Sequence, residues 1–417
     1  MPKPEPTRLF VAEPGEERHV ALWRRGRLAG YRIDAAGLQD RTGAVFLGQV
    51  IRIDPGLGSA FVAFDRSGSG VAETGLLELR RDEKRVEGDR LLVQLVHDRR
   101  GEKSARLTAA PILDGRFVDL LTKESGVHMI GAEMAPETAS ALRSTLRSLA
   151  TKSQIGLRLT PRAAHASVES IAKEATTLAA GWQSCADALT RGGEPGCLRR
   201  PAGALLALLQ ELAGGEPVVI VADNRALARR IEVELAAASI ADSAEIQVLA
   251  QREWVPSAAE LDESVQAALD PRAPLADGGW LLFEVGETLT AIDVNSGTAS
   301  MRRAGTSRVD LRLKVNLQAA EAIARELRLR GIGGLVVIDF IDMENSADRG
   351  RVVKALRAAL ADDPARTRVL PMSDLGLAQL TRQRRGPSLA ELFFGPCEPC
   401  SGTGRLAQRR PIGNSPL

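Results

Sequence analysis

The sequence predicts a mixed α+β chain of several domains, and three observations carry that reading. The chain has 417 residues, 44% hydrophobic and 26% charged; it can bury a sizeable core but exceeds one typical domain, so roughly two to four are expected. Short segments of alternating polarity dominate as far as Leu113, whereas helical periodicity enters after Val118. Towards the C-terminus apolar strand-like runs alternate with helical ones, which is the pattern of α/β units.

Taken in order, residues 8 to 34 alternate around Leu9-Phe10-Val11, Val20-Ala21-Leu22-Trp23 and Tyr31-Arg32-Ile33-Asp34, with glycine-containing breaks. They predict a small antiparallel meander. From Gly43 the pattern continues as VFLGQVIRI, a turn at Asp54-Pro55-Gly56, SAFVAF, GLLEL, RLLVQLV and SARLTA. Short strands of this number, broken by Gly, Pro and Asp, fit a small closed barrel of OB type, with another small β-barrel as the alternative. Helices are predicted at 135 to 150 and 165 to 190, followed by a linker-like Gly192-Gly193-Glu194-Pro195-Gly196. Helix 201 to 213, strand Val218 to Ala222 and helix 224 to 238 form a further α/β unit. The last unit, 278 to 394, holds strands LLFEV and LTAIDV, a helix at 316 to 330, the strand LVVIDF and a helix at 350 to 361.

The net charge of +2 does not announce a polyanion partner by itself. Its distribution says more, with basic clusters at Arg24, Arg25 and Arg27, at Arg99, Arg100 and Lys103, at Arg302 and Arg303, at Arg382, Arg384 and Arg385, and at Arg409 and Arg410. Guanidinium forks suit bidentate phosphate contact, although high-GC coding bias also enriches arginine. The N-terminus lacks a basic segment followed by an apolar one, and no run approaches the roughly 18 apolar residues of a membrane span, so the cytoplasm is the default and no membrane partner is expected. Four cysteines are too few for a disulfide scaffold and favour a metal site or buried thiols.

Two strand ends carry the chemistry. LTAIDVNSG places Asp293 and Asn295 two apart, on one face of a strand as it ends, and LVVIDFID closes a second apolar strand at Asp339 and Asp342. A run as apolar as LVVI is expected to be buried on both faces, so an aspartate at its end needs a hydrogen bond, an ion pair or a metal. Should the strands be neighbours, Asp293 and Asp339 converge, and such hard oxygen donors suit magnesium; strand caps are the plain alternative. The helix between them shows an apolar stripe at 317, 320, 323, 324 and 327, with Arg325, Arg328 and Arg330 elsewhere, read as a solvated face or a phosphate contact.

Together, FEVGETLTAIDVNSG, NLQAAEAIARELRLRGIGGLVVIDFIDM, GLAQLTRQRRGPSL and CEPCSGTG resemble, in order, the catalytic-domain signatures of the ribonuclease E/G family. Upstream, GAVFLGQVIRIDPGLGSAFVAF and RRGEKSARLT resemble its inserted OB-fold RNA-binding domain, and RHVALWRRGRL its N-terminal strand pair, so the resemblance spans essentially the whole chain. It implies an α+β multidomain fold: an OB-fold barrel (39–115) inserted in an RNase-H-like subdomain (1–38 and 200–277) without catalytic acids of its own. A sensor-like α/β region (116–199), a DNase-I-like catalytic subdomain (278–394), a zinc link (395–405) and a tail (406–417) complete it. The implied activity is magnesium-dependent hydrolysis of single-stranded RNA to 3′-hydroxyl and 5′-phosphate ends, with Asp293 and Asp339 holding the magnesium and Asn295 assisting. Phe61 and Phe64, together with Lys103, are the barrel residues expected to meet RNA, core packing being the other reading for Phe64. A leucine, Leu76, stands where the family has a second aromatic.

The family's Arg-Thr pair for a 5′-monophosphate is replaced by Thr160-Pro161, leaving Arg158 and Arg162 as the nearest cations, and the family's small C-terminal domain is expected to be absent. Cys397 and Cys400 form half of a tetrahedral zinc site. Completion by Cys185 and Cys197, a redox dithiol and sharing with a second chain are the alternatives; the resemblance implies the last, hence a homodimer. A non-catalytic RNA-binding dimer of the same fold and a zinc-linked scaffold are the competing functional readings.

Overall fold

The computed structural model describes residues 6–400 apart from 36–40, 67–71, 81–83, 100–103, 130–133, 213–216, 239–243, 249–255, 298–307, 362, 374 and 396. The chain opens with the expected meander, β1 (Thr7–Ala12), β2 (Arg18–Arg24) and β3 (Arg27–Asp34). Arg25 and Gly26 both have positive φ, 54° and 70°. Such a turn matches the right-handed twist of the strands it joins.

Next comes the barrel: β4 (Val45–Asp54), β5 (Ser59–Arg66), β6 (Ala72–Glu78), β7 (Arg90–His97) and β8 (Ala105–Thr108). The order β4-β5-β6-β8-β7 closes by pairing of β7 back onto β4, with β6 and β8 parallel. This closed five-strand barrel is consistent with an OB fold. Its interior is filled by Phe46, Val62, Phe64, Leu77, Val93 and Leu95, and the rings of Phe46 and Phe64 meet edge to face at 5.0 Å. Phe64 is 0% exposed. The expectation of a base-stacking Phe64 therefore fails: residues three apart on a strand face opposite sides, so Phe61 points out and Phe64 in.

A four-stranded sheet follows, from β9 (Ile112–Leu113), β10 (Val118–Leu121), β11 (Gly126–Met129) and, after α1 (Pro136–Ser153), β12 (Gly156–Leu159). The apolar faces of α1 and α2 (Val168–Arg191) pack on it through Leu142, Leu146, Ile171 and Leu178. From α2 the buried carboxylate of Glu174 accepts N–H bonds from Arg116, Phe117 and Val118. The glycine-rich stretch after α2 is not merely a linker, because it runs into β13 (Gly196–Arg199), which pairs with β4.

The chain then returns to the first sheet. After α3 (Ala204–Glu211), β14 (Val218–Ala222) joins β1 in parallel, and α4 (Arg225–Ala237) leads to β15 (Glu245–Val248) beside β14. The order is β3-β2-β1-β14-β15. Leu205, Leu208, Leu227 and Ile231 of α3 and α4 cover one face, while Val265 and Ala268 of α5 (Ala258–Leu269) reach Phe10 and Tyr31 on the other.

The last sheet comprises β16 (Arg272–Pro274), β17 (Trp280–Val285), β18 (Leu289–Asn295), then after α6 (Arg308–Leu329) β19 (Gly334–Asp339), and after α7 (Ser346–Ala359) β20 (Thr367–Val369) and β21 (Leu377–Arg382); α8 (Leu389–Phe393) ends it. Strand order is β16-β17-β18-β19-β21-β20, with β18 and β19 parallel. Leu281, Phe283, Ile292, Val294, Val336 and Ile338 meet α6 and α7 on one face.

The other face is open: Leu335 is 42% exposed and Leu289 37%. The LVVI run is thus buried on one face only, because this mixed sheet carries helices on a single side. Helix α6 also begins earlier than its apolar stripe predicts. Its arginines do not form a solvated face either. Arg330 is 6% exposed, bonded to Glu326 at 3.0 Å and to the Asp270 carbonyl at 2.6 Å, with its guanidinium 4.5 Å from the Phe283 ring centre. Arg382, likewise buried, pairs with Asp363 through both nitrogens of its fork, at 2.9 and 3.0 Å. Neither side chain is offered to phosphate.

Candidate functional site: an acidic strand edge and an aromatic barrel face

Asp293 and Asp339 are register partners on the parallel strands β18 and β19. Neighbouring strands run about 4.8 Å apart, so the two carboxylates leave the sheet side by side. Alternation decides their direction. Ile292, Val294 and Ile338 point into the helix-covered core at 1%, 5% and 0% exposure, which sends Asp293, Asn295 and Asp339 to the open face. Asn295 Nδ2 donates to Asp293 Oδ2 at 2.5 Å, orienting that carboxylate.

The next register partner of Asp339 is Leu377, so the acidic pair sits in a row between apolar neighbours. This is a donor set of hard oxygens open to solvent, the chemistry a divalent cation such as magnesium uses. Among the described residues no third His, Cys, Asp or Glu joins it.

Sequence reasoning missed Asn316, 0% exposed, which bonds the backbone of Ile341 just beyond Asp339. The available signal was an asparagine in the helical frame one step before the apolar stripe. Arg349 Nη1 donates to the Met343 carbonyl at 2.8 Å in the same post-strand segment.

On the barrel, Phe61 is half-buried on the outer face, with the Arg52 guanidinium 4.4 Å from its ring centre. Register links Arg52, Phe61, Leu76, Arg106 and His97 into one row across β4, β5, β6, β8 and β7. That row is a cation-flanked apolar platform. Lys103 lies outside the described residues.

On the four-stranded sheet, Arg158 is bound to Asp119 at 2.7 and 3.2 Å, so its charge is already matched. Thr160 Oγ1 donates to the Arg116 carbonyl at 2.8 Å, and Pro161 opens a short 3₁₀ turn, Pro161–His165. Arg162 is half-buried beside it and, with Arg199 and Arg366, lines a cleft of about 3230 Å³. Asp293 and Asp339 are not part of this cleft; they lie on the open sheet face.

Cys397 is exposed and Cys400 half-buried at a single turn, Glu398–Cys400. Cys185 is buried on α2 and Cys197 exposed on β13, and burial pushes both thiols above the usual range. Among the described residues no cluster of three or more metal-capable groups forms, so Cys185 and Cys197 do not complete the Cys397 and Cys400 pair within the chain. No helix among the described residues is long and apolar enough to cross a membrane.

Known proteins resemble this chain in sequence. Ribonuclease E of Nostoc sp. is 32% identical over 378 residues, covering 88% of this chain and 54% of that protein. Ribonuclease E of Escherichia coli is 27% identical over 428 residues, 98% of this chain and 40% of that one. Ribonuclease G of Haemophilus influenzae is 27% identical over 422 residues, 95% of this chain and 83% of that one. The chain spans about half the length of the ribonuclease E relatives. The model of the Ribonuclease E/G family matches residues 112–385, from the four-stranded sheet through the acidic strand edge, and the chain belongs to that family.

Proposed function

We propose that the chain is a metal-dependent endoribonuclease that binds single-stranded RNA on the outer barrel face and hydrolyses it at the Asp293 and Asp339 edge. The observation that carries this reading is the register of those aspartates on adjacent strands, with Asn295 bonded to one of them. Asp293 and Asp339 are the residues that would hold magnesium, which when bound supplies a Lewis acid for the phosphodiester and a lowered pKa for an attacking water. Asn295 keeps Asp293 from rotating, and the open sheet face offers room for a flexible strand. Phe61 offers a ring for stacking, flanked by the cations Arg52 and Arg106 for phosphate.

The strand order β3-β2-β1-β14-β15 supports an RNase-H-like reading of the first sheet, and the six-stranded sheet with helices on one face a DNase-I-like reading of the last. Cys397 and Cys400 fit half of a tetrahedral zinc site that a second chain would complete, and a cytoplasmic homodimer is part of the same proposal. Asp339→Asn tests it on a fluorescent single-stranded oligonucleotide with and without magnesium. Nearly all cleavage should vanish while RNA affinity is kept; persistence above a few percent of wild type overturns the site, and no magnesium-dependent cleavage by the wild type favours a non-catalytic RNA-binding dimer.

A further inference from the structure

The open face of the last sheet holds more than its carboxylates. In β17, Leu281 and Phe283 are 0% and 4% exposed in the core, so the half-buried Trp280 and Leu282 share the opposite face with Asp293 and Asn295. Register places Trp280 beside Asn295, and Leu282 beside Asp293. On the edge strand β16, Arg272 and Pro274 are exposed while Ala273 is buried, and they pair with Leu282 and Trp280. The rows on this face are therefore Pro274, Trp280, Asn295 and, next to it, Arg272, Leu282, Asp293, Asp339, Leu377. The Arg272 guanidinium stands 4.7 Å from the centre of the Trp280 ring.

A tryptophan with partial solvent access, one strand from Asn295, is poorly explained by packing alone. Unlike the buried Arg330 over Phe283, the exposed Arg272 over the half-buried Trp280 is within reach of solvent. A cation beside an accessible ring suits a nucleotide, whose base has a π-face and whose phosphates are anionic. The distance also fits: two strand spacings separate Arg272 from Asp293, about 10 Å, close to the reach of one or two nucleotides of extended single strand.

We propose that Trp280 and Arg272 form a nucleotide subsite next to the scissile phosphodiester, Trp280 stacking one base of single-stranded RNA and Arg272 meeting a flanking phosphate. This rests on the assignment of Asp293 and Asp339 as the cleavage site. The subsite discriminates by stacking, so it favours a purine at one position relative to the cut without reading its edge.

A set of single-stranded oligonucleotides, each with one abasic nucleotide at a successive position around one cleavage bond, tests the idea. Binding is measured with the non-cleaving Asp339→Asn chain, alone and combined with Trp280→Ala or Trp280→Phe, and the wild type is assayed for cleavage in parallel. One abasic position should weaken binding on the order of tenfold in the Asp339→Asn and Trp280→Phe backgrounds, and have no effect once Trp280 is alanine. Equal responses at every position in the Trp280→Ala and Trp280-containing chains overturn the subsite. A shift in molecular mass on Trp280→Ala without any change in the abasic pattern overturns it too, by making Trp280 a contact between chains. Loss of the parent assignment reads differently, as cleavage by Asp339→Asn or none by the wild type.

Discussion

The side-chain amide of Asn316 closes a two-way bond with the backbone of Ile341: Nδ2 donates to the Ile341 carbonyl at 2.7 Å and Oδ1 accepts from the Ile341 N–H at 3.0 Å. Asn316 is fully buried within α6, so both groups would be orphaned by an apolar replacement. Asn316→Leu should cost about 1–3 kcal/mol in urea unfolding. Because Ile341 follows Asp339 closely, the same variant should need more magnesium for half-maximal cleavage, with RNA affinity unchanged. An unaltered magnesium dependence would make Asn316 purely a packing residue.

Phe61 and Phe64 separate binding from stability. Phe64→Ala opens a cavity against Phe46 and should lower stability by about 3–5 kcal/mol. Phe61→Ala should leave unfolding nearly unchanged and raise the dissociation constant for single-stranded RNA, measured by fluorescence anisotropy. Unchanged affinity in a folded Phe61→Ala chain removes it from the interface.

Response to the RNA 5′ end should be weak. Thr160 is bonded to the Arg116 carbonyl, Pro161 has no N–H to offer, and Arg158 is committed to Asp119. Cleavage rates on 5′-monophosphate and 5′-hydroxyl oligonucleotides should differ by less than an order of magnitude. A larger monophosphate preference would transfer the role to Arg162 or another group of the cleft.

Tyr31 gives a pH prediction with a clean reporter, being the single tyrosine of the chain. Burial, then the charges of Asp262 and Glu17, push its phenol up to about 12, while its hydroxyl bonds His19 Nδ1 at 2.7 Å. A folded pKa above the unfolded value of 10.0 means stability that is intact below pH 10.0 and lost as pH rises towards about 12. Phenolate absorbance should therefore rise late and together with unfolding. An ordinary titration near 10.0 in a folded chain would contradict the burial.

Zinc and mass report on the C-terminal turn. Two chains sharing Cys397 and Cys400 pairs should bind about half an equivalent of zinc per chain. Cys397→Ser should release the zinc and shift the mass towards a monomer. A full equivalent in a monomeric wild type would rule out sharing.

Much of this was legible in the sequence because it depends on local rules. The meander, the closed barrel and the helix between the two aspartate-ended strands follow from polarity period and turn residues, and the motif order points to the ribonuclease E/G family. Even the fate of Phe64 was encoded in its three-residue spacing from Phe61. Long-range pairing decided the rest. Only the fold places β13 against β4, turns the arginines at 330 and 382 into buried ion pairs, and leaves one face of the LVVI strand open. The sequence determined that two apolar strands end in aspartate; the parallel register of β18 and β19 decided that those aspartates stand side by side, since which strands become neighbours depends on contacts across the whole sheet.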